Sequence, residues 1–226
     1  MTELLYIDEE PAQGNMVIRA AVHSGFFAKE NVDTVTPVAD IDEMIDYILE
    51  SKCKVLISDY RLGDKMLGIP YTGLDLINAF QKRFDGFPCF LTTNFVGDAL
   101  NEHVEVNVIF PKSDLEPDKE KSELPFFHRV RAKIEERDVV TAAKEQRFQL
   151  LQNRMKIESL GAAEVQELLE LDDFLEGMIN KVDAVPRLLK QQALEPFDKL
   201  IDSAERLIER IELELAASQN PPEKKD

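Results

Sequence analysis

Tryptophan is absent from the 226 residues, and cysteine occurs only twice, at Cys53 and Cys89. Two thiols cannot build the disulfide framework of a small secreted domain, so a reducing compartment is expected. Histidine is scarce as well: His23, His103 and His128 are scattered, with no metal-ligand spacing between them. No apolar run approaches the length of a membrane span, and the opening Met-Thr-Glu-Leu-Leu-Tyr lacks the basic and apolar segments of a secretion signal. Bases are outnumbered, 27 against 44 acids, for a formal charge of −17. Such a chain repels nucleic acid and anionic lipid, so neither is expected as a partner. These absences point to a cytoplasmic protein.

What is present supports a real core. Hydrophobic residues make up 44% of the chain, which argues against wholesale disorder and allows one large domain or two small ones. The first half alternates apolar runs with helical patterns. Leu4 to Ile7 reads as a strand, and Pro11 to about Gly25 as a helix that opens on proline. Val32 to Val38 is a second strand. Asp40 with Glu43 marks the start of a helix carrying Ile41, Met44, Ile45, Ile48 and Leu49. Val55 to Ser58 is an apolar or small run that ends on Asp59, as suits a strand buried on both faces. After an unusually long loop from Tyr60 to Gly73 comes a helix with Leu74, Leu76, Ile77 and Phe80. Phe87 to Thr92, a short helix from Val96 to His103, and Val106 to Phe110 complete the series. Strands alternating with helices at this spacing predict parallel βαβ units, hence a doubly wound sheet of five parallel strands.

After Asp114 the strand patterns stop. The sequence predicts an α/β domain over 1–116, a charged linker over 117–123, an α-helical bundle or coiled-coil module over 124–217, and a disordered tail over 218–226. Within the helical part, a long helix is expected from Pro125 to Leu160, stopping at Gly161. A second carries Val165, Leu168, Leu169, Leu175, Met178 and Ile179, and a last runs from Phe197 to Leu215. These apolar stripes need covering, by one another or by a second copy of the chain, so a homodimer is expected. Arg129, Lys133 and Arg137 form a basic stripe with Lys144 and Arg147, read as a solvated face paired with neighbouring acids.

The strand ends carry the chemistry. Asp8 and Glu9 follow the first strand, Asp59 the third, Thr93 the fourth and Lys112 the fifth. In a doubly wound sheet these ends converge. Three crowded carboxylates repel one another and call for a cation, or for one of them to take up a proton, and an all-oxygen set suits Mg²⁺. A carboxylate can also act as a nucleophile that takes a phosphoryl group as an acyl phosphate. Lys112 and the Thr93 hydroxyl supply the charge and hydrogen bonds such a group needs.

Residues 3 to 115 resemble the receiver domain of two-component response regulators, the flavodoxin-like chemotaxis-regulator family, which implies a flavodoxin-like fold for the sheet. The resemblance rests on Leu4-Leu5-Tyr6-Ile7-Asp8-Glu9-Glu10-Pro11, Val55-Leu56-Ile57-Ser58-Asp59, Pro88-Cys89-Phe90-Leu91-Thr92-Thr93-Asn94 and Ile109-Phe110-Pro111-Lys112-Ser113. It implies that Asp59 is the phosphoacceptor and that Asp8, Glu9, Asp59 and the backbone carbonyl of Arg61 hold Mg²⁺. Thr93 is then the switch hydroxyl, and Lys112 pairs with the phosphoryl oxygens. A sensor histidine kinase or phosphotransfer protein is the implied donor, and output runs through protein contacts of the helical half. No enzymatic activity beyond self-phosphorylation and autodephosphorylation follows. Three features depart from the family pattern: the length of the Tyr60–Gly73 loop, Pro111 before rather than after the lysine, and Ile109 where an aromatic is usual. Two other readings are an unphosphorylated scaffold that works by docking, and a haloacid-dehalogenase-type phosphatase with Asp8 as nucleophile. The second lacks the aspartate it requires, because Glu10 holds that position.

Overall fold

The computed structural model describes residues 2–95, 109–115 and 125–180, with the short pieces 184–185, 189–190, 206–208 and 210–211. Five strands, β1 (Leu4–Ile7), β2 (Val32–Val35), β3 (Val55–Asp59), β4 (Cys89–Thr93) and β5 (Ile109–Pro111), form one parallel sheet in the order β2-β1-β3-β4-β5. Helices α1 (Pro11–His23), α2 (Ile41–Ser51) and α3 (Gly73–Arg83) follow β1, β2 and β3. Two longer helices, α4 (Phe126–Met155) and α5 (Ala162–Asn180), come after the sheet. The chain leaves β1 for β2 on one side, then returns to β3 on the other. This is the flavodoxin-like order, whose ligands bind at the carboxyl ends of the strands where the direction reverses.

Every residue of β1, β3 and β4 is buried, which is why these segments read as unbroken apolar runs. Successive side chains alternate between two cores. Leu5, Ile7, Leu56 and Leu91 join Met44, Ile45 and Ile48 of α2 and Leu76, Ile77 and Phe80 of α3. Leu4, Tyr6, Val55, Ile57 and Phe90 join Val17, Ala20 and Ala21 of α1 and the first turns of α4. Local signals start and stop the helices. Pro11 opens α1, and Gly25, at φ +77°, follows its end. The Asp40 carboxylate accepts from the Asp42 amide to cap α2. Thr72 and Asp75 form a reciprocal capping box on α3.

Several boundaries differ from the sequence expectation. β2 stops at Val35 rather than Val38, and β4 is displaced to Cys89–Thr93. The expected helix from Val96 to His103 and residues 106–108 of the expected fifth strand lie outside the described residues. α4 ends at Met155, before Leu160, because the chain turns over 156–161. Gly161 opens α5 rather than closing α4: its carbonyl accepts from the Glu164 and Val165 amides.

The chain divides into two compact units, one of Met1–Lys144 with Glu176–Val182, the other of Glu145–Leu175 with Asp183–Asp226. The expected linker at 117–123 lies outside the described residues, and the units part within α4 instead. The cause is the packing of Phe126, Phe127, Val130 and Ile134, which belong to the sheet's own core. The ion pairs Lys54–Asp138 at 2.7 Å and Arg131–Glu3 at 3.6 Å tie the same stretch to the sheet. In the second unit Leu151 packs with Leu168 and Leu171, with Phe148 and Leu160 against them. Of the expected last helix, residues 206–208 and 210–211 are helical; the rest, and the tail at 218–226, lie outside the described residues. Among the described residues no helix is long and apolar enough to cross a membrane.

Candidate functional site

β1 and β3 are neighbours in register, with Ile7 opposite Ser58. The next residues along, Asp8 and Asp59, therefore leave the sheet side by side at the point where the strand order reverses. Both are buried, at 3% and 6% exposure. Lys112 sits in a 3₁₀ turn directly after β5 and is itself buried. Its ammonium lies between the two carboxylates, 2.8 Å from Asp8 Oδ2 and 2.9 Å from Asp59 Oδ1. The structure thus brings together three of the predicted site residues, from β1, β3 and β5.

Asp8 is held by more than Lys112. The Tyr6 hydroxyl donates to Asp8 Oδ2 at 2.6 Å, and the Glu10 amide donates to Oδ1 at 2.8 Å. Tyr6 is a site residue the sequence reading missed. The signal was present, because a tyrosine two positions before an aspartate on a strand shares its face. Burial, then the neighbouring Asp8 charge, pushes the Tyr6 hydroxyl far above its ordinary range, so it stays a neutral donor. Burial also pushes the Asp59 carboxyl up to about 6, although Lys112 pulls the other way. For Lys112, burial opposes the charge, but the hydrogen bond to Asp8 and the field of Asp59 leave the ammonium raised above its ordinary value.

Glu9 goes elsewhere. Its Oε2 accepts from the amides of Lys65 and Met66 at 2.6 and 3.1 Å, in the long loop after Asp59. Glu10 pairs with the Lys65 ammonium at 2.5 Å. The loop is rooted by buried Tyr60, Leu62 and Tyr71, and the Tyr71 hydroxyl donates to the Val38 carbonyl. The Arg61 guanidinium pairs with Asp64 and lies 3.9 Å from the centre of the Phe95 ring. At the loop's end the Gly73 amide donates to the Tyr60 carbonyl. A Cβ at Gly73 would stand 1.9 Å from the Asp59 carbonyl oxygen and 2.5 Å from Ser58 Oγ. Only glycine lets α3 begin this close to the phosphoacceptor candidate.

Thr93 ends β4, and its hydroxyl accepts from the Phe95 amide at 2.9 Å. The register partner of Asp59 is its neighbour Thr92, whose hydroxyl donates to the Ser58 carbonyl at 3.3 Å. Ile109 and Phe110 point into opposite cores. Phe110 packs on Phe90 and Phe126, with ring centres 5.8 and 5.0 Å apart. It is therefore tied into an aromatic cluster and is no substitute for a mobile aromatic at Ile109. The basic stripe on α4 is broken up. Lys133 pairs with Glu136 and Arg147 with Glu167, while Arg137 lies over the Phe87 ring.

The donor set fits a hard cation in part. Asp8 and Asp59 offer adjacent carboxylate oxygens, both now on the Lys112 ammonium. Glu9 would have to leave the loop amides to join them.

By strand order the fold is a flavodoxin-like α/β unit, with acids at its switch point, followed by helices. Among solved structures, the chain is similar to the anti-anti-sigma factor PhyR from Bartonella quintana, at 17% identity and a TM-score of 0.46. The match covers 63% of this chain and 51% of that one, so the chain spans about half of that protein's length. It is also similar to the response regulator RcsB of Salmonella typhimurium, at 15% identity and a TM-score of 0.36, over 78% of this chain and 91% of that one. No protein-family model matches the sequence, and no curated protein matches it. The strand order, rather than either likeness, defines the class.

Proposed function

We propose that the chain is a response regulator that accepts a phosphoryl group on Asp59. The observation that carries this reading is the buried Lys112 ammonium shared between Asp8 and Asp59 at the switch point of the sheet. An Asp59 oxygen attacks the phosphorus of the donor. A new O–P bond forms as the donor's bond to phosphorus breaks, and the departing group keeps the electron pair. Lys112, already within ion-pair distance, pairs with the incoming phosphoryl oxygens, and Tyr6 and the Glu10 amide hold Asp8 in place meanwhile. Mg²⁺, held by Asp8, Asp59, Glu9 and the Arg61 carbonyl, would offset the repulsion between phosphoryl group and carboxylates. Thr93 would exchange its Phe95 amide for a phosphoryl oxygen. The start of α4 packs on Phe90 of β4 and Phe110 of β5, which gives a mechanical route from the site to the helical half. The partners are a sensor histidine kinase or phosphotransfer protein upstream and, downstream, a protein bound by the helices, with the chain as a homodimer.

A second reading, a scaffold that works by docking alone, is favoured by the Thr93 hydroxyl and the Glu9 carboxylate, both of which are satisfied by local amides. Intact mass after incubation with acetyl phosphate and Mg²⁺ separates the two. The phosphoacceptor reading expects a single phosphoryl adduct that is lost in Asp59→Asn and in the presence of a chelator. No adduct, or the same adduct in Asp59→Asn, leaves the scaffold.

A further inference from the structure

We infer that the crest of the loop after β3, residues 64–68, is a strap that competes with a divalent cation for Glu9, so that cation binding and strap release are one event. The inference rests on Asp8, Glu9 and Asp59 being a cation site, as proposed above.

Two successive amides, those of Lys65 and Met66, converge on one oxygen of Glu9, at 2.6 and 3.1 Å. Consecutive backbone N–H groups aimed at one anion form an anion-binding nest, and here the anion is the chain's own carboxylate. The Lys65 side chain adds a second attachment through Glu10 at 2.5 Å. The crest has no comparable apolar hold. Lys65 and Met66 are exposed, and Leu67 is 100% exposed. Besides the Arg61–Asp64 pair within the loop, the crest is tied by Lys65 and Met66 to Glu9 and Glu10 after β1. The arms of the loop behave differently, because Tyr60, Leu62 and Tyr71 are buried in the core of the sheet. The neck is closed: a Cβ on Gly63 would lie 2.8 Å from the Ile69 carbonyl oxygen. A stretch with few buried apolar contacts opens locally at low free energy while its packed surroundings stay closed.

Glu9 cannot serve both sides at once. To reach a cation at Asp8 and Asp59, its carboxylate must give up the nest. The apparent affinity for the cation is then the intrinsic affinity multiplied by the fraction of molecules whose Glu9 is free of the strap. Conversely, a bound cation frees the Lys65 and Met66 amides and untethers Met66 and Leu67. Loss of two solvent-exposed hydrogen bonds from the strap-held state, each at the low end of the usual net contribution, corresponds to about a tenfold gain in affinity.

The test is an Mg²⁺ titration of the full chain by calorimetry, with amide shifts and exchange rates read by NMR. It is repeated on a chain lacking residues 64–68, in which Gly63 is joined to Ile69. The expected result is that Mg²⁺ shifts the Lys65 and Met66 amides and speeds their exchange in step with changes around Asp59, and that the shortened chain binds about tenfold more tightly. Met66→Pro, which deletes one of the two donors at full loop length, should move affinity the same way by a smaller factor, and it stands in if the shortened chain does not fold. Binding with those two amides unmoved and affinity unchanged in the variants would overturn the strap and leave the cation site standing. If neither the full chain nor any variant binds Mg²⁺, the cation site falls, and the strap with it.

Discussion

The two compact units are held together by different means. In the first, three strands are buried along their whole length, apolar side chains fill both faces, and even the polar cluster is enclosed, with Lys112, Asp8 and Asp59 each under 9% exposed. In the second, the described core is Leu151, Leu168 and Leu171 with two half-buried neighbours. Much of the remaining connection there is ionic. Arg147 grips Glu167 with two nitrogens, Arg154 pairs with Glu164, and Lys190 pairs with Asp172 and Asp173. Pairs at the surface are individually weak and screened by salt, whereas buried pairs are screened much less. The first unit is thus sensitive to shape and to the charge state of a few enclosed groups. The second depends on a small apolar contact and on ionic strength. A unit of the second kind opens at lower free energy, as suits an element that changes partners.

The largest effect should come from filling the tightest backbone contact at any of the described glycines. Gly73→Ala puts a methyl 1.9 Å from the Asp59 carbonyl, so β3 or α3 must move. Chemical denaturation should show a loss of roughly 3 kcal/mol or more, with exchange accelerated across the sheet. A neutral result would break the claim that α3 is seated directly against the site.

Leu151→Ala probes the other unit. Cutting back a fully buried leucine costs about 2 to 4 kcal/mol where the surroundings cannot collapse. Native-state exchange should show that loss in the second half of α4 and the first half of α5, while amides of β1 and β3 keep their protection. Equal losses in both places would mean that the two units open together.

A pH dependence should be confined to the first unit. The Asp59 carboxyl rises from 3.8 to about 6 on folding, so the native state holds its proton more tightly than the unfolded chain. Between those values stability must fall as pH rises, and above about pH 6 the full cost of an enclosed carboxylate remains. Asp59→Asn should therefore raise stability at pH 7 by up to about 3 kcal/mol, and most of the gain should be gone as pH falls to 4. Denaturation midpoints of both proteins across that range measure it. A gain that persists at pH 4 would assign the effect to packing rather than to charge.

The sequence by itself determined the alternation of strands and helices, the strand ends on which Asp8, Asp59 and Lys112 sit, and the start of α2 at Asp40. These depend on short-range rules: a run buried on both faces must be apolar throughout, and a helix must satisfy its first amides nearby. The tertiary structure decided the rest. Glu9 stands beside Asp8 in the chain, but its partners lie 56 and 57 positions away, so adjacency could not say which way its carboxylate turns. The strand pattern sets Tyr6 on the face of Asp8, but only the fold brings Lys112, 104 residues beyond Asp8, to the same oxygen. The start of α4 reads as any amphipathic helix, yet Phe126 and Phe127 belong to the sheet, because only the folded β4 and β5 present the aromatic surface they cover. Periodicity specifies which face of an element is apolar, and only the assembled neighbours specify what that face meets.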